Sequence, residues 1–360
     1  MRIGLVAPPF ISVPPRVYGG TELFIAHLAE GLRGLGIDAV VYCNGESTVN
    51  APRRYLYDHS QWPIKGEIYA NLKDINHTAW AVADATRTCD AIHLNNLPGL
   101  AHSRLVKTPI IYTMHHPYEP GLSAFYEYYP EITYVTISDF QRRRETMPRM
   151  RTIHHGIDVS LYKPSNKRTH LSFLGRIAPI KGTHLAIQIA KKAGIPLKIA
   201  GEVQPVFRDY FETEIKPHVD GRFIEYVGGA GLKEKNELLG KSLALLFPIQ
   251  WDEPFGLVMI EAMACGAPVL ALPGGSVQEI VAEGISGAIC RSVDELAACA
   301  RSAGQNFNSE TVRHYVSQKF SLSAMVKKYA QAYADILHPQ VVKVAASDDS
   351  SEIAGTRATA

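Results

Sequence analysis

The sequence predicts an α/β protein built as two Rossmann-like parallel-sheet domains facing a deep cleft. Three observations carry that expectation. Short apolar runs alternate with helical patterns along most of the chain, which is the signature of a parallel sheet covered by helices. The alternation starts afresh after residue 164. Between the halves lies HHGIDVSLYKPSNKR, polar and turn-rich with a proline near its middle, a natural linker. At 360 residues the chain suits two domains of ordinary size.

In the first half, Ile3–Ala7, Ala39–Cys43, Ala91–Leu94, Ile110–Thr113 and Tyr134–Ile137 read as strands. MRIGLVAPPF pairs a basic residue with an apolar run, but the run is short and Pro8 and Pro9 break it. It therefore reads as a buried first strand and turn, not as a signal peptide. Thr21–Leu35 places Leu23, Phe24, Ala26, His27, Leu28, Ala29 and Leu32 at helical spacing. In the second half, His170–Gly175, Leu197–Ala200, Phe223–Tyr226, Leu243–Phe247 and Val269–Ala271 read as strands, and Thr183–Ala193 as a helix. The expected domains are 1–163 and 164–321. A last helix, Leu322–Leu337, with Met325, Val326, Tyr329 and Tyr333 on one face, is expected to cross back to the first domain. Residues 339–360 are small and polar and read as a disordered tail.

Composition narrows the function. The hydrophobic fraction of 46% and charged fraction of 20% are those of a soluble globular chain. A net charge of +2 gives no global pull toward nucleic acid or membrane. No stretch approaches the roughly 20 apolar residues of a membrane span. The five cysteines are scattered without a C-x-x-C pair, which suits free thiols in a reducing compartment and a cytoplasmic protein.

The segment from Trp251 to Pro268, WDEPFGLVMIEAMACGAP, concentrates the chemistry. Pro254 and Gly256 break the chain before an apolar run, so a loop enters a buried helix. The helix start near Phe255, Gly256 and Leu257 offers free backbone N–H groups to an anion. Glu261 lies inside that apolar run, where a carboxylate costs several kcal/mol unless something hydrogen-bonds it. Glu253 stands just outside. A core helix whose glutamate bonds a neighbouring backbone group or arginine remains the plain alternative.

Three further elements belong with it. In LGRIAPIKG, Arg176 and Lys181 follow a strand and can share one bound anion; solvated surface charges would read the same way. In RVYGGTE, Gly19 and Gly20 permit close backbone approach between strand and helix, which a tight turn alone would also explain. In YTMHHP, His115 at a strand's carboxyl end would point into the cleft, though a structural histidine would read the same way, and adjacent histidines face opposite sides. There is no dinucleotide fingerprint, Walker loop, H-E-x-x-H or cysteine cluster, and D-x-D is absent from the folded region. No metal site is expected.

Together YGGTE, YTMHHP, HGID, GRIAPIKG, WDEPFGLVMIEAMACGAPV and PGGSVQEIVAEGISG resemble the retaining GT-B glycosyltransferases of family 4, over about residues 1–337. The resemblance implies that the second domain binds a nucleotide-sugar donor and the first a hydroxyl acceptor (a sugar, a lipid-linked molecule or a small one). It implies that Arg176 and Lys181 hold the donor diphosphate and stabilise the leaving nucleotide, with neither cofactor nor divalent metal. Glu253 would contact the transferred sugar, Glu261 the ribose, and His115 the sugar again. The backbone of Phe255, Gly256 and Leu257 would approach phosphates and sugar, Gly19 and Gly20 would line the phosphate and acceptor region, and Glu279 would face the nucleotide. The implied mechanism is front-face transfer with retention, the departing phosphate taking the acceptor's proton. The linker departs from the family at His155, where an Asn often precedes Gly-Ile-Asp.

The motifs leave the donor open, with UDP-glucose favoured and GDP-mannose next. The aromatic stretch with Tyr118, Phe125, Tyr126, Tyr128 and Tyr129 reads either as an acceptor platform or as a core helix with surface tyrosines. The arginines of QRRRETMPRMR, Arg142 to Arg151, read as a solvated face or as a weak peripheral membrane contact. A sugar-nucleotide epimerase or hydrolase, and a non-catalytic sugar-nucleotide sensor, are the other functional readings; oligomeric state is not encoded.

Overall fold

The computed structural model describes residues 1–16, 19–62 and 66–338, so the tail expected at 339–360 and Tyr18 of the glycine motif lie outside the described residues. The first domain holds β1 (Arg2–Val6), β2 (Asp38–Cys43), β3 (Arg53–Tyr55), β4 (Ala91–Leu94), β5 (Ile110–Met114), β6 (Thr133–Thr136) and β7 (Met150–Thr152). They form one parallel sheet in the order β3-β2-β1-β4-β5-β6-β7, with Ile3 opposite both Ala39 and Ala91. The second domain holds β8 (His170–Leu174), β9 (Leu197–Ala200), β10 (Ile224–Gly228), β11 (Ser242–Phe247), β12 (Val269–Ala271) and β13 (Gly287–Ile289). Their order is β10-β9-β8-β11-β12-β13.

In both sheets the strand order reverses beside the first strand, at β1/β4 and at β8/β11. A crevice opens at such a reversal, beyond the carboxyl ends of the strands. The loops that emerge there carry the glycine motif after β1, Arg176 and Lys181 after β8, and Glu253 after β11.

Helices cover both faces: α1 (Gly20–Gly34), α2 (Glu67–Thr88), α3 (Pro120–Tyr126) and α4 (Asp139–Arg142) in the first domain. The second has α5 (Thr183–Ala193), α6 (Arg208–Tyr210), α7 (Leu232–Gly240), α8 (Leu257–Ala264), α9 (Val277–Ile280), α10 (Val293–Asn306) and α11 (Ser309–Lys319). The last helix, α12 (Leu322–Leu337), packs on the first domain: Met325, Val326, Tyr329 and Tyr333 share a core with Phe24, Leu28 and Ile3. Gly31 makes that crossing close, since a Cβ there would lie 2.3 Å from Val326 Cγ2. The chain crosses between domains twice, side by side: Ile157 N donates to Phe320 O at 3.0 Å and Leu322 N to Ile157 O at 2.8 Å.

The aromatic stretch resolves as core. Tyr112, Tyr126, Tyr129 and Tyr134 are buried together, while Tyr128 is exposed. Three arginines of the basic run bind protein groups: Arg144 meets Asp252, Arg149 Nη1 donates to Glu131 O, and Arg151 pairs with Asp335 at 2.8 Å. No helix among the described residues is long and apolar enough to cross a membrane. All five cysteines are free, although the Cys290 and Cys299 sulfurs approach to 3.5 Å.

Candidate functional site

The cleft between the domains contains a cavity of about 330 Å³. Gly19, Gly20, Thr21, Glu22, His115 and His155 line one side, and Arg176, Lys181, Trp251, Glu253 and the Phe255–Val258 stretch line the other. A narrower extension of about 100 Å³ shares Gly19, Gly20, Leu174, Gly175, Leu257 and Val258, and ends at Glu202, Gly229, Ala230, Lys235 and Glu261. The two carboxylates of the α8 segment thus border two adjoining cavities that share a wall. Helix periodicity is the cause: Glu253 precedes the bend at Gly256, and Glu261 follows it by more than one turn.

At the bend Gly256 takes φ +80° as the N-cap of α8, and no side chain caps the helix. The first-turn amides of Leu257 and Val258 therefore start a helix dipole at the cavity wall, favourable to an anion. Ser276 stabilises the loop, its hydroxyl donating to Phe255 O at 2.9 Å and its N–H to Glu253 O at 2.9 Å.

Lys181 ends a short turn after β8, where Gly182 then caps α5. Its ammonium lies 2.5 Å from Glu253 Oε2 and 4.5 Å from the centre of the Trp251 ring. The Trp251 indole N–H donates to the same Glu253 oxygen at 2.9 Å. Glu253 Oε1 has no hydrogen-bond partner among the described residues. Arg176 Nη1 reaches Gln204 Oε1 at 3.4 Å, while its Nε is buried without a partner among the described residues. One cation held by a carboxylate, and one partly unsatisfied, suit a cavity that takes a multiply charged anion.

Glu261 is buried. Its Oε1 accepts from Tyr162 Oη at 3.0 Å and from Lys235 Nζ at 2.8 Å. Its Oε2 is buried with no partner among the described residues, so one strong acceptor is left unsatisfied at the wall of the extension. Burial and the neighbouring carboxylate push the Tyr162 hydroxyl up, keeping it a donor.

His115 follows β5 directly and its Nε2 lies 2.9 Å from Asn95 Oδ1. Because Asn95 Nδ2 donates to Val6 O, Oδ1 accepts; His115 then carries its proton on Nε2 and presents Nδ1 as an acceptor. Burial holds His115 well below its ordinary pKa, and the nearby histidines add to that. His155, stacked on His115 with ring centres 5.7 Å apart, is pushed down to about 3 by burial. Both rings are neutral at physiological pH. His116 turns the other way and bonds Tyr126.

One expectation is corrected. Glu279 does not line the cavity; its carboxylate accepts from the backbone N–H groups of Asp139 at 2.9 Å and Phe140 at 3.2 Å, across the domain boundary. It is the third residue of helix α9, turned toward α4, and it also meets His154 Nε2 at 3.2 Å. Asp139, His154 and Glu279 bring ligand atoms within 4.8 Å of one another, the one such cluster among the described residues, outside the cleft lining. Sequence reading also passed over Glu22, Trp251 and Lys235 as cavity residues. Glu22 stands inside the quoted YGGTE motif and was legible there; Lys235 lies in a run of surface-like charges that gave no signal.

Comparison with known proteins agrees with this geometry. Residues 161–319 match the family model "Glycosyl transferases group 1", and residues 18–161 match "Glycosyltransferase Family 4". A glycogen synthase of Mycobacterium tuberculosis is 30% identical over 198 residues, 50% of this chain and 47% of that protein. A D-inositol 3-phosphate glycosyltransferase of Mycolicibacterium smegmatis is 24% identical over 216 residues, 52% of this chain and 48% of that protein. The chain spans about half the length of the curated relatives it matches. Among solved structures, the Anabaena HepE protein in complex with UDP and glucose is similar with a TM-score of 0.75 at 19% identity, covering 93% of this chain and 100% of that one. AviGT4, a glycosyltransferase involved in avilamycin A biosynthesis, has a TM-score of 0.69 at 23% identity, covering 93% and 98%. The shared architecture is the GT-B fold.

Proposed function

Since this chain belongs to the group 1, family 4 glycosyltransferases, we propose that it moves a hexose from a nucleotide sugar to a hydroxyl acceptor, with retention and without a metal. The observation that carries the reading is the pair of adjoining cavities in the cleft, with Arg176, Lys181 and the α8 N-terminus between a carboxylate in each. That spacing suits a nucleotide sugar: ribose at Glu261, diphosphate at the two cations and the helix start, sugar between Glu253 and His115.

In this reading the acceptor oxygen attacks the anomeric carbon on the face the diphosphate leaves. The C–O bond to phosphate breaks as the new glycosidic bond forms, and the acceptor's proton passes to the departing phosphate oxygen. Charge developing on that oxygen is met by Arg176, Lys181 and the amides of Leu257 and Val258, the largest catalytic contribution. Neutral His115 accepts a sugar hydroxyl and takes no proton from the acceptor. UDP-glucose is the favoured donor, supported by a fold neighbour solved with UDP-glucose, and GDP-mannose is next.

The test is nucleotide release from a panel of UDP- and GDP-sugars, with and without simple glycosides as acceptors, and with and without EDTA. Release from one donor, accelerated by an acceptor and indifferent to chelator, is the expected result. Binding without turnover across the panel would instead favour a sensor, and loss of release with EDTA would defeat the metal-independent mechanism.

A further inference from the structure

Among the carboxyls that line the main cavity, Glu22 is the one that the donor geometry leaves without a task. It is the third residue of α1, 5% exposed, and lines the wall opposite Arg176 and Lys181. Its side chain folds back over the helix start: a Cβ on Gly19 would lie 2.6 Å from Glu22 Oε2 and 2.9 Å from Pro15 Cβ. Glycine at position 19 therefore makes room for this carboxyl. Glu253 and Glu261 each bind a lysine, whereas Glu22 forms no ion pair among the described residues. The titratable groups sharing its cavity come from four other segments: His115 after β5, His155 in the linker, Arg176 and Lys181 after β8, and Glu253 before α8.

We propose that Glu22 positions the acceptor, its carboxylate receiving a hydrogen bond from an acceptor hydroxyl that neighbours the attacking one. The proposal rests on the glycosyl-transfer reading. With the diphosphate gripped from the second domain, the attacking oxygen must approach from the first-domain wall, beside Gly20 and Glu22. The carboxylate fixes the acceptor so that the attacking O–H faces the departing phosphate oxygen, which takes its proton; Glu22 is unchanged over the cycle. Burial, opposed by its own backbone N–H, lifts Glu22 to about 7. Its accepting form is therefore gained as pH rises through neutrality.

The experiment uses the full chain, whichever panel donor it turns over, and p-nitrophenyl glycosides as acceptor probes. Glu22→Gln should raise the acceptor KM by about tenfold, as expected when a hydrogen bond to a charged acceptor becomes one to a neutral amide, with the donor KM moving less than about twofold. Wild-type transfer should climb through pH 7, and the climb should be absent from Glu22→Gln but kept, at a lower rate, by Glu22→Asp. An unchanged acceptor KM, or equal changes in both KM values, would overturn the assignment, as would loss of UDP binding in a variant whose thermal melt shows it folded. A wild type that transfers from no panel donor would overturn the glycosyl-transfer reading itself, and this proposal with it.

Discussion

At Lys181 the chain sets one ammonium 2.5 Å from a carboxylate oxygen and 4.5 Å from an indole ring, with only 14% of the side chain exposed. A cation so enclosed has surrendered most of its hydration, and Glu253 offsets the cost. Its worth to catalysis is greatest when the neighbouring phosphate gains charge, because fixed partners need not reorganise then. Lys181→Ala should lower kcat by about 100- to 1000-fold, the range for removing one preorganised charge donor, with UDP affinity falling less. Wild-type-like turnover in that variant, measured as nucleotide release, would end the role given to Lys181. The same residue shows what a sequence conveys at this scale. Arg176, Lys181, Glu253 and Glu261 were readable because each stands in a motif whose spacing has chemical meaning. Glu279 was misplaced because a helix of four residues has no periodicity to orient its side chains, and tertiary contact with α4 decided the matter.

At the scale of elements, α8 joins chemistry to fold. Eight residues long and buried from Met259 to Ala264, it starts at Gly256 with φ +80°, a conformation that side-chain-bearing residues adopt at a cost of about 1 kcal/mol or more. A Cβ there would also meet Met259 Cε at 2.8 Å, though a methionine end can move aside. Gly256→Ala should therefore lower stability by about 1 to 2 kcal/mol, and weaken UDP binding further by displacing the amides of Leu257 and Val258. Thermal unfolding and a UDP titration separate the two effects; a normal UDP affinity would mean the helix start does not touch the phosphates. The interior strands were legible because burial on both faces demands unbroken apolar runs, and β4, β9 and β12 were read with their observed ends. The edge strands β3, β7 and β13 were not: Arg53, Arg54, Arg151 and Thr152 look like loop residues when only one neighbour pairs with them. Helix α2 escaped notice because its apolar positions change face, Ile68, Leu72 and Ile75 exposed and Ala81, Val82 and Ala85 buried.

For the whole molecule, the site exists only while the two sheets face each other closely, since its walls come from both. Three of the contacts that hold them among the described residues are the paired crossings at Ile157 and Phe320–Leu322, the Arg144–Asp252 pair, and Glu279 with the α4 amides. The first is covalent and remains in any arrangement. The other two are polar contacts at a partly wetted boundary, each worth about 1 kcal/mol, so they bias the closed arrangement without locking it. Donor bound in the cleft touches both walls and should pull the same equilibrium toward closure. If Glu279 supplies about 1 kcal/mol of that bias, Glu279→Ala should shift the balance roughly fivefold toward open forms and raise the donor KM by up to that factor, with kcat much less affected. Small-angle scattering should show a larger radius of gyration in the variant that returns toward the wild-type value with saturating UDP. Identical scattering and an unchanged donor KM would mean that the domain boundary is held elsewhere, as by the linker, α12 or the packing of Ile137 into the second-domain core.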